Sequence, residues 1–193
     1  MNPGAVPGER ENHEGILEAT RRQVERGGWG AVSLGRVATQ AGVSKALIHY
    51  HFSDKQQLLC AVAVECTRRI KDRGTAVTGA PPSGDPLAAF WNWLQEELEQ
   101  GDVSALLQLA RAEDIQVQER ATTGLAECRT LVRALVARVL GALEARPGIP
   151  VPLLADVMAT LVEGLAAQHN PRRKREEQSV VDVLWLSLMA LAE

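Results

Sequence analysis

Aromatic residues are scarce: four Trp, two Phe and one Tyr among 193 residues. β-Sandwiches and barrels lean on aromatic and β-branched strand faces. This chain has no sustained apolar–polar alternation and no Asn-Gly hairpin. Cysteine is short as well. Cys60, Cys66 and Cys128 are odd in number and have no CxxC spacing. That excludes a disulfide framework or zinc knuckle and fits a reducing cytoplasm. All three read as small buried apolar residues. Apolar runs are short and broken by charge, so none is expected to span a bilayer. The opening MNPGAVPGERENHEG has no apolar core and does not read as a signal peptide.

There is also no excess of basic charge. The net charge is −3, which excludes a protein that coats nucleic acid uniformly. The average hides a division. Residues 1–79 carry +3 and residues 80–193 carry −6. A basic front and an acidic rear suit a chain with one anion-facing module.

What the sequence does have is helical periodicity. Ile16, Leu17, Ala19 and Val24 share one side of a helix that ends at the glycines of "RGG". Leu34–Ala41 and Lys45–His51 read as short helices, and a long one runs on from Asp54. Past the breaking segment GTAVTGAPPSGDP come helices over Pro86–Glu99, Val103–Ala112, Gln116–Ala145, Pro152–Gln168 and Arg175–Ala192. The fold class is therefore all-α, with about nine helices. The expected organisation is an arm over residues 1–9, a helix–turn–helix domain over 10–53, and a binding and dimerisation domain over 54–193. Helix 54–73 would connect the two domains.

One stretch, LGRVATQAGVSKALIHYHF, satisfies the demands of a tight helix–turn–helix. Ala38 is small where the helices cross. Gly42, four positions on, can take the left-handed turn. Ile48, six further, plugs the gap, Val43 packs beneath the turn, and Ser44 can cap the second helix. Ile48 and Phe52 share the inward face. Lys45, Ala46, His49 and Tyr50 are left outward, with Leu47 and His51 on the flanks. Such a strip suits a DNA major groove. Lys45 can reach a phosphate or guanine, Ala46 permits close approach, and Leu47 can touch a thymine methyl. Lys55, in the next helix's first turn, can meet a phosphate alongside that helix's amides. Ser33 offers the same at the start of the preceding helix. Residues i and i+2 on a helix stand about 200° apart, so His49 and His51 cannot chelate one ion. No acid or nucleophile pairs with either. No metal, cofactor or catalytic residue is expected, and the protein is not expected to be an enzyme. A plain helical hairpin with ordinary surface histidines is the competing reading.

Residues 10–65, and GWGAVSLGRVATQAGVSKALIHYHFSDKQQLLCAVAVE within them, resemble the TetR (tetracycline-repressor-like) family of bacterial regulators. The pattern is a hydrophobe, Ala, two residues, Ala-Gly-Val-Ser, then a hydrophobe, an aromatic, Tyr/His-Phe, a short turn and Lys. The resemblance implies a three-helix DNA-binding domain followed by a helical domain that binds an inducer and dimerises. It puts Ser33, Lys45, His51 and Lys55 at phosphates, and Gln40, Ser44, Ala46, Leu47 and Tyr50 at bases or backbone. His49 stands where the family most often has tyrosine, so its contact would be made by a different, pH-sensitive group. Ala46 replaces a frequent glycine.

The rear half is expected to bind a small molecule and to pair with a second copy. PLLADVMATLVEGLAAQ and VVDVLWLSLMALAE are the last two helical stretches. The second is apolar almost all round and needs covering. Val162, Gly164, Leu165, Val183, Leu184, Leu186 and Leu188 are the candidate dimer contacts. For a ligand, FWNWLQEELEQ concentrates the aromatic mass. Candidate pocket residues are Trp91, Leu94, Leu107, Arg111, Met158 and Glu163. The expected partners are an operator duplex, an inducer and a second copy, in the cytoplasm with no membrane. An activator or a non-DNA-binding adaptor on the same fold are the alternatives to a repressor.

Overall fold

The computed structural model describes residues 7–79, 85–169, 179–180 and 182–183. Among them are eight α-helices, one 3-10 turn and no strand. In chain order they are α1 (Pro7–Gly27), the 3-10 turn (Trp29–Ala31), α2 (Leu34–Ala41), α3 (Lys45–His51), α4 (Lys55–Gly79), α5 (Pro86–Gln100), α6 (Asp102–Leu109), α7 (Ile115–Ala142) and α8 (Val151–Gln168). The all-α expectation holds. The ninth expected helix, Arg175–Ala192, lies mostly outside the described residues.

Local chemistry explains the boundaries. α1 starts at Pro7, so residues 7–9 are helical and not part of an arm. Glu9 in its first turn and Arg26 in its last complement the helix dipole. Asp85 caps α5 by accepting from the Leu87 amide at 2.9 Å, with Pro86 opening the helix. At the head of α4, the Asp54 carboxylate accepts from the Gln57 amide at 2.8 Å. The Gln57 side chain accepts from the Ser53 amide at 2.6 Å in return. This reciprocal box fixes the turn between α3 and α4.

The chain divides into two compact units, residues 1–67 with 105–124 and residues 68–104 with 125–193, in their described parts. α4 begins at Lys55 and crosses the division at 67/68. The first unit buries Ile16, Val24, Val37, Ile48 and Leu58 together with Leu106, Leu109 and Val117. Gly124 of α7 lets helices close up there. A Cβ on it would collide with Thr67 Oγ1 of α4 and lie 3.2 Å from the Leu106 methyls of α6.

The second unit buries Phe90, Trp93, Leu94, Val132, Leu135, Leu154 and Met158. Its core holds charge too. The Arg73 guanidinium bonds both Glu97 oxygens, at 2.6 and 2.9 Å, and Asp102 Oδ2 at 2.6 Å. Both carboxylate residues are 1% exposed. Burial raises the pKa of Glu97 and the guanidinium beside it pulls the other way. Burial likewise pushes the Cys128 thiol up to about 12, as befits an inert core cysteine. Cys66 is also buried, while Cys60 is half-buried.

α8 corrects one expectation. Its 18 residues are long and apolar enough to cross a membrane by length and composition. It nevertheless carries Glu163 and Asp156, which Arg129 and Arg133 of α7 hold at 2.7 and 2.6 Å. Its Leu154, Met158 and Val162 are buried in the second unit's core. These contacts seat one side of α8 in that core.

Candidate nucleic-acid interface

The site is built on the α2–α3 turn. Gly42 adopts φ 68°, ψ 26°, the left-handed conformation that closes α2. The Val43 amide donates to the Ala38 carbonyl at 3.0 Å, folding the chain back. Ser44 then caps α3, its hydroxyl accepting from the Leu47 amide at 3.1 Å. Ile48 and Phe52 are 1% and 4% exposed. The face left over is Lys45, Ala46, His49 and Tyr50, all exposed, with Leu47 half-buried at its edge. Tyr50 is 74% exposed, which no core role would leave it. The outward strip therefore exists as a surface.

Several expected contacts stand in more particular settings. Lys45 folds back over α2: a Cβ on Gly35 would lie 3.1 Å from its Cε and 3.4 Å from its Nζ. A glycine at 35 thus leaves room for the ammonium beside the first turn of α2. Ser33 itself is an N-cap whose hydroxyl caps nothing. Its own amide is already used, donating to Gln23 Oε1 at 3.1 Å. Any anion at this helix end would use the amides that follow and the Lys45 ammonium. Lys55 Nζ lies 5.9 Å from the Trp29 ring centroid. A cation–π contact of this kind steadies a flexible lysine.

His51 departs from its place on the outward flank. It is half-buried, and its Nε2 is enclosed without a hydrogen-bond partner. Its ring meets His13 of α1 edge-on at 5.5 Å, and His13 stacks on Phe52 at 5.2 Å. Burial lowers the pKa of His13, and the neighbouring His51 adds to the effect, against Glu65 and Glu14. His51 packs α3 onto α1 as much as it faces outward.

Sequence reading misses four contributors: His13, Gln23, Trp29 and Gly35. The first two had a signal. His13, Ile16, Thr20 and Gln23 follow helical spacing on α1, and Thr20 and Gln23 are buried with Ile16. Gln23 donates from Nε2 to Gln40 Oε1 at 3.0 Å.

The expected ligand residues are not gathered into one unit. Leu107 and Arg111 belong to the first, Trp91, Leu94, Met158 and Glu163 to the second. Leu94 and Met158 are fully buried, Trp91 and Leu107 are half-buried, and Arg111 is exposed. Glu163 is held by Arg129 through two bonds of 2.7 and 2.8 Å. Among the described residues the tryptophan in the core is Trp93, with its Nε1 buried and unpartnered.

Of the expected dimer contacts, Val162 is 1% exposed and points into its own unit's core, so it is not available to a partner. Gly164 and Leu165 are half-buried, and Val183 is 62% exposed. Leu184, Leu186 and Leu188 lie outside the described residues. The open apolar face of α8 is instead Val151, Leu153 and Val157, which are 37%, 54% and 42% exposed.

Residues 16–62 match the profile of bacterial regulatory proteins, tetR family. No curated protein matches the chain. Solved structures share its fold at low identity. A transcriptional regulator from Pseudomonas aeruginosa PAO1 is 22% identical, with TM-score 0.68, over 96% of this chain and 93% of its own. A TetR-family regulator from Agrobacterium tumefaciens is 16% identical, with TM-score 0.71, over 86% and 92%. NalD, the secondary repressor of the MexAB-OprM multidrug efflux pump in Pseudomonas aeruginosa, is 20% identical, with TM-score 0.63, over 95% and 98%.

Proposed function

From the match of residues 16–62 to the tetR-family profile, we propose that the chain is a TetR-family regulator, a homodimeric repressor released from a palindromic operator by a small-molecule inducer. The observation that carries the DNA half of this reading is the outward strip of α3. An exposed lysine, histidine and tyrosine stand on a helix whose angle is set by a left-handed glycine. A single such helix reads only a few base pairs, so two copies on half-sites about one duplex turn apart are needed. The exposed apolar face of α8 supports that pairing.

Gln40, Ser44, Lys45, Ala46, Leu47, His49 and Tyr50 would meet bases or backbone. Ser33, Lys45, His51 and Lys55 would sit at phosphates. The inducer would bind in the second unit, whose core carries unpartnered polar atoms on Trp93 and Gln95. A ligand that favours one spacing of the two reading heads shifts the population towards it and changes operator affinity accordingly. The chain would act in the cytoplasm, where its DNA lies, and perform no turnover of its own.

The test is footprinting on the DNA upstream of the protein's own coding region. The reading expects one protected, two-fold symmetric site. Absence of any protected palindrome would count against it.

A further inference from the structure

We propose that Gln23 sets what Gln40 can recognise, by fixing which end of the Gln40 amide faces outward. This rests on the DNA-binding reading above and deepens it. A backbone N–H can only donate. The Ser33 amide donates to Gln23 Oε1 at 3.1 Å, so the oxygen of the Gln23 side chain is committed to Ser33. Its nitrogen must then face the other way, and it does, donating to Gln40 Oε1 at 3.0 Å. Two amide NH₂ groups cannot face each other, so Gln40 cannot turn over. Its Nε2 donors point away from Gln23.

The relay therefore has a direction, and the backbone sets it. Gln23 is 7% exposed, and such burial strengthens the preference, since a mismatched amide there would leave a buried polar atom unsatisfied. Gln40 is exposed, so the end it shows is the end that a duplex meets. It presents donors, and its partner on DNA is an acceptor: a phosphate oxygen, or the N7 or O6 of a purine. The cytosine amino group, a donor, is refused. Gln23 is a positioning residue in this scheme and touches no DNA.

Gln23→Glu reverses the relay. A carboxylate still accepts from Ser33, but it has no proton for Gln40. The Gln40 amide must turn its Nε2 inward and its oxygen outward. Gln40→Leu removes the outward donor altogether.

The experiment uses the full chain and a pool of duplexes with a randomised core, followed by affinity measurements on the enriched duplex. Wild type, Gln23→Glu, Gln40→Leu and the double variant are compared. Each single variant is expected to weaken binding about tenfold, the worth of one good hydrogen bond. The double variant is expected to bind no more weakly than the weaker single, because Gln23 acts only through Gln40. If the acceptor lies on a base, the Gln23→Glu pool shifts at one position per half-site towards cytosine or adenine. If it lies on a phosphate, all duplexes weaken alike. Either result supports the relay.

Two results would overturn it. One is a Gln23→Glu chain that enriches the same bases at wild-type affinity. The other is a pair of losses that multiply in the double variant, as the bare negative charge that Gln23→Glu introduces would give. If wild type enriches no sequence at all, the DNA reading fails first and takes the relay with it.

Discussion

Arg73→Met leaves the second unit's core with two carboxylates and without the cation between them. Glu97 and Asp102 are each 1% exposed, and Arg73 makes three bonds to them of 2.6, 2.9 and 2.6 Å. Arg69 also approaches Asp102, at 4.0 Å. Methionine restores the stem's volume but supplies no donor. Removing one partner of a buried ion pair costs about 3–5 kcal/mol. At about 2–4 °C per kcal/mol for a chain of this length, the melting temperature should fall by roughly 10 °C.

The loss should depend on pH. Burial already holds the Glu97 pKa above its ordinary 4.5, and Arg73 opposes that rise. Without Arg73 the folded-state pKa climbs further. An acid whose pKa is raised by folding adds stability that is full below the unfolded pKa and lost as pH rises through the folded one. The gap between variant and wild type should therefore be wider at pH 8 than at pH 5, in paired melts at about those values. Glu97→Leu in the Arg73→Met background should recover part of the loss, since it removes one stranded charge. A variant that melts alongside wild type at the higher pH, or a gap that ignores pH, would refute the reasoning.

Gly42→Ala forces a side chain into φ 68°. It should cost about 1 kcal/mol of stability and weaken DNA binding as α3 tilts, read by melting and by titration. Gly124→Ala drives a Cβ into Thr67 Oγ1, which is donating to the Ala63 carbonyl at 2.8 Å. It should destabilise by about 1–2 kcal/mol, and Thr67→Ala in the same chain should suppress that loss in the melt. Lys55→Ala should weaken binding to every sequence by about 1 kcal/mol and shallow the salt slope by about one. Tyr50→Ala should change base preference in a duplex selection while leaving the melting temperature in place, since the residue is 74% exposed.

The helix–turn–helix was legible because its punctuation is local. Gly42 and Ser44 mark the turn by backbone and capping chemistry, and α2 and α3 begin and end at the expected residues. Ile48 and Phe52 point inward as their four-residue spacing requires. What escaped depends on packing between distant segments. His51 meets His13, thirty-eight positions away in sequence, where the His13 ring also stacks on Phe52. The bond from Gln23 to Gln40 needs α1 laid against α2, which no spacing in either helix reveals. Glu163 interrupts an apolar helix as a pocket residue would, yet the carboxylate is taken by Arg129 thirty-four positions upstream. Val162 reads as a partner contact in sequence for a related reason. The apolar pattern marks α8 as helix to be covered, but α8 is apolar on two sides. Only the fold decides that Leu154, Met158 and Val162 go inside while Leu153 and Val157 stay out.

On the proposed function, the outward strip of α3 is the DNA contact. Its most direct test is a titration of an enriched duplex at several salt concentrations. Wild type is compared with a chain carrying Lys45→Ala, His49→Ala and Tyr50→Ala together. All three side chains are exposed, so the variant should fold and melt like wild type. Wild type should bind with a steep fall in log affinity against log salt, and the variant should lose sequence preference and part of that slope. A triple variant that kept wild-type affinity, preference and slope would show that the strip does not touch DNA.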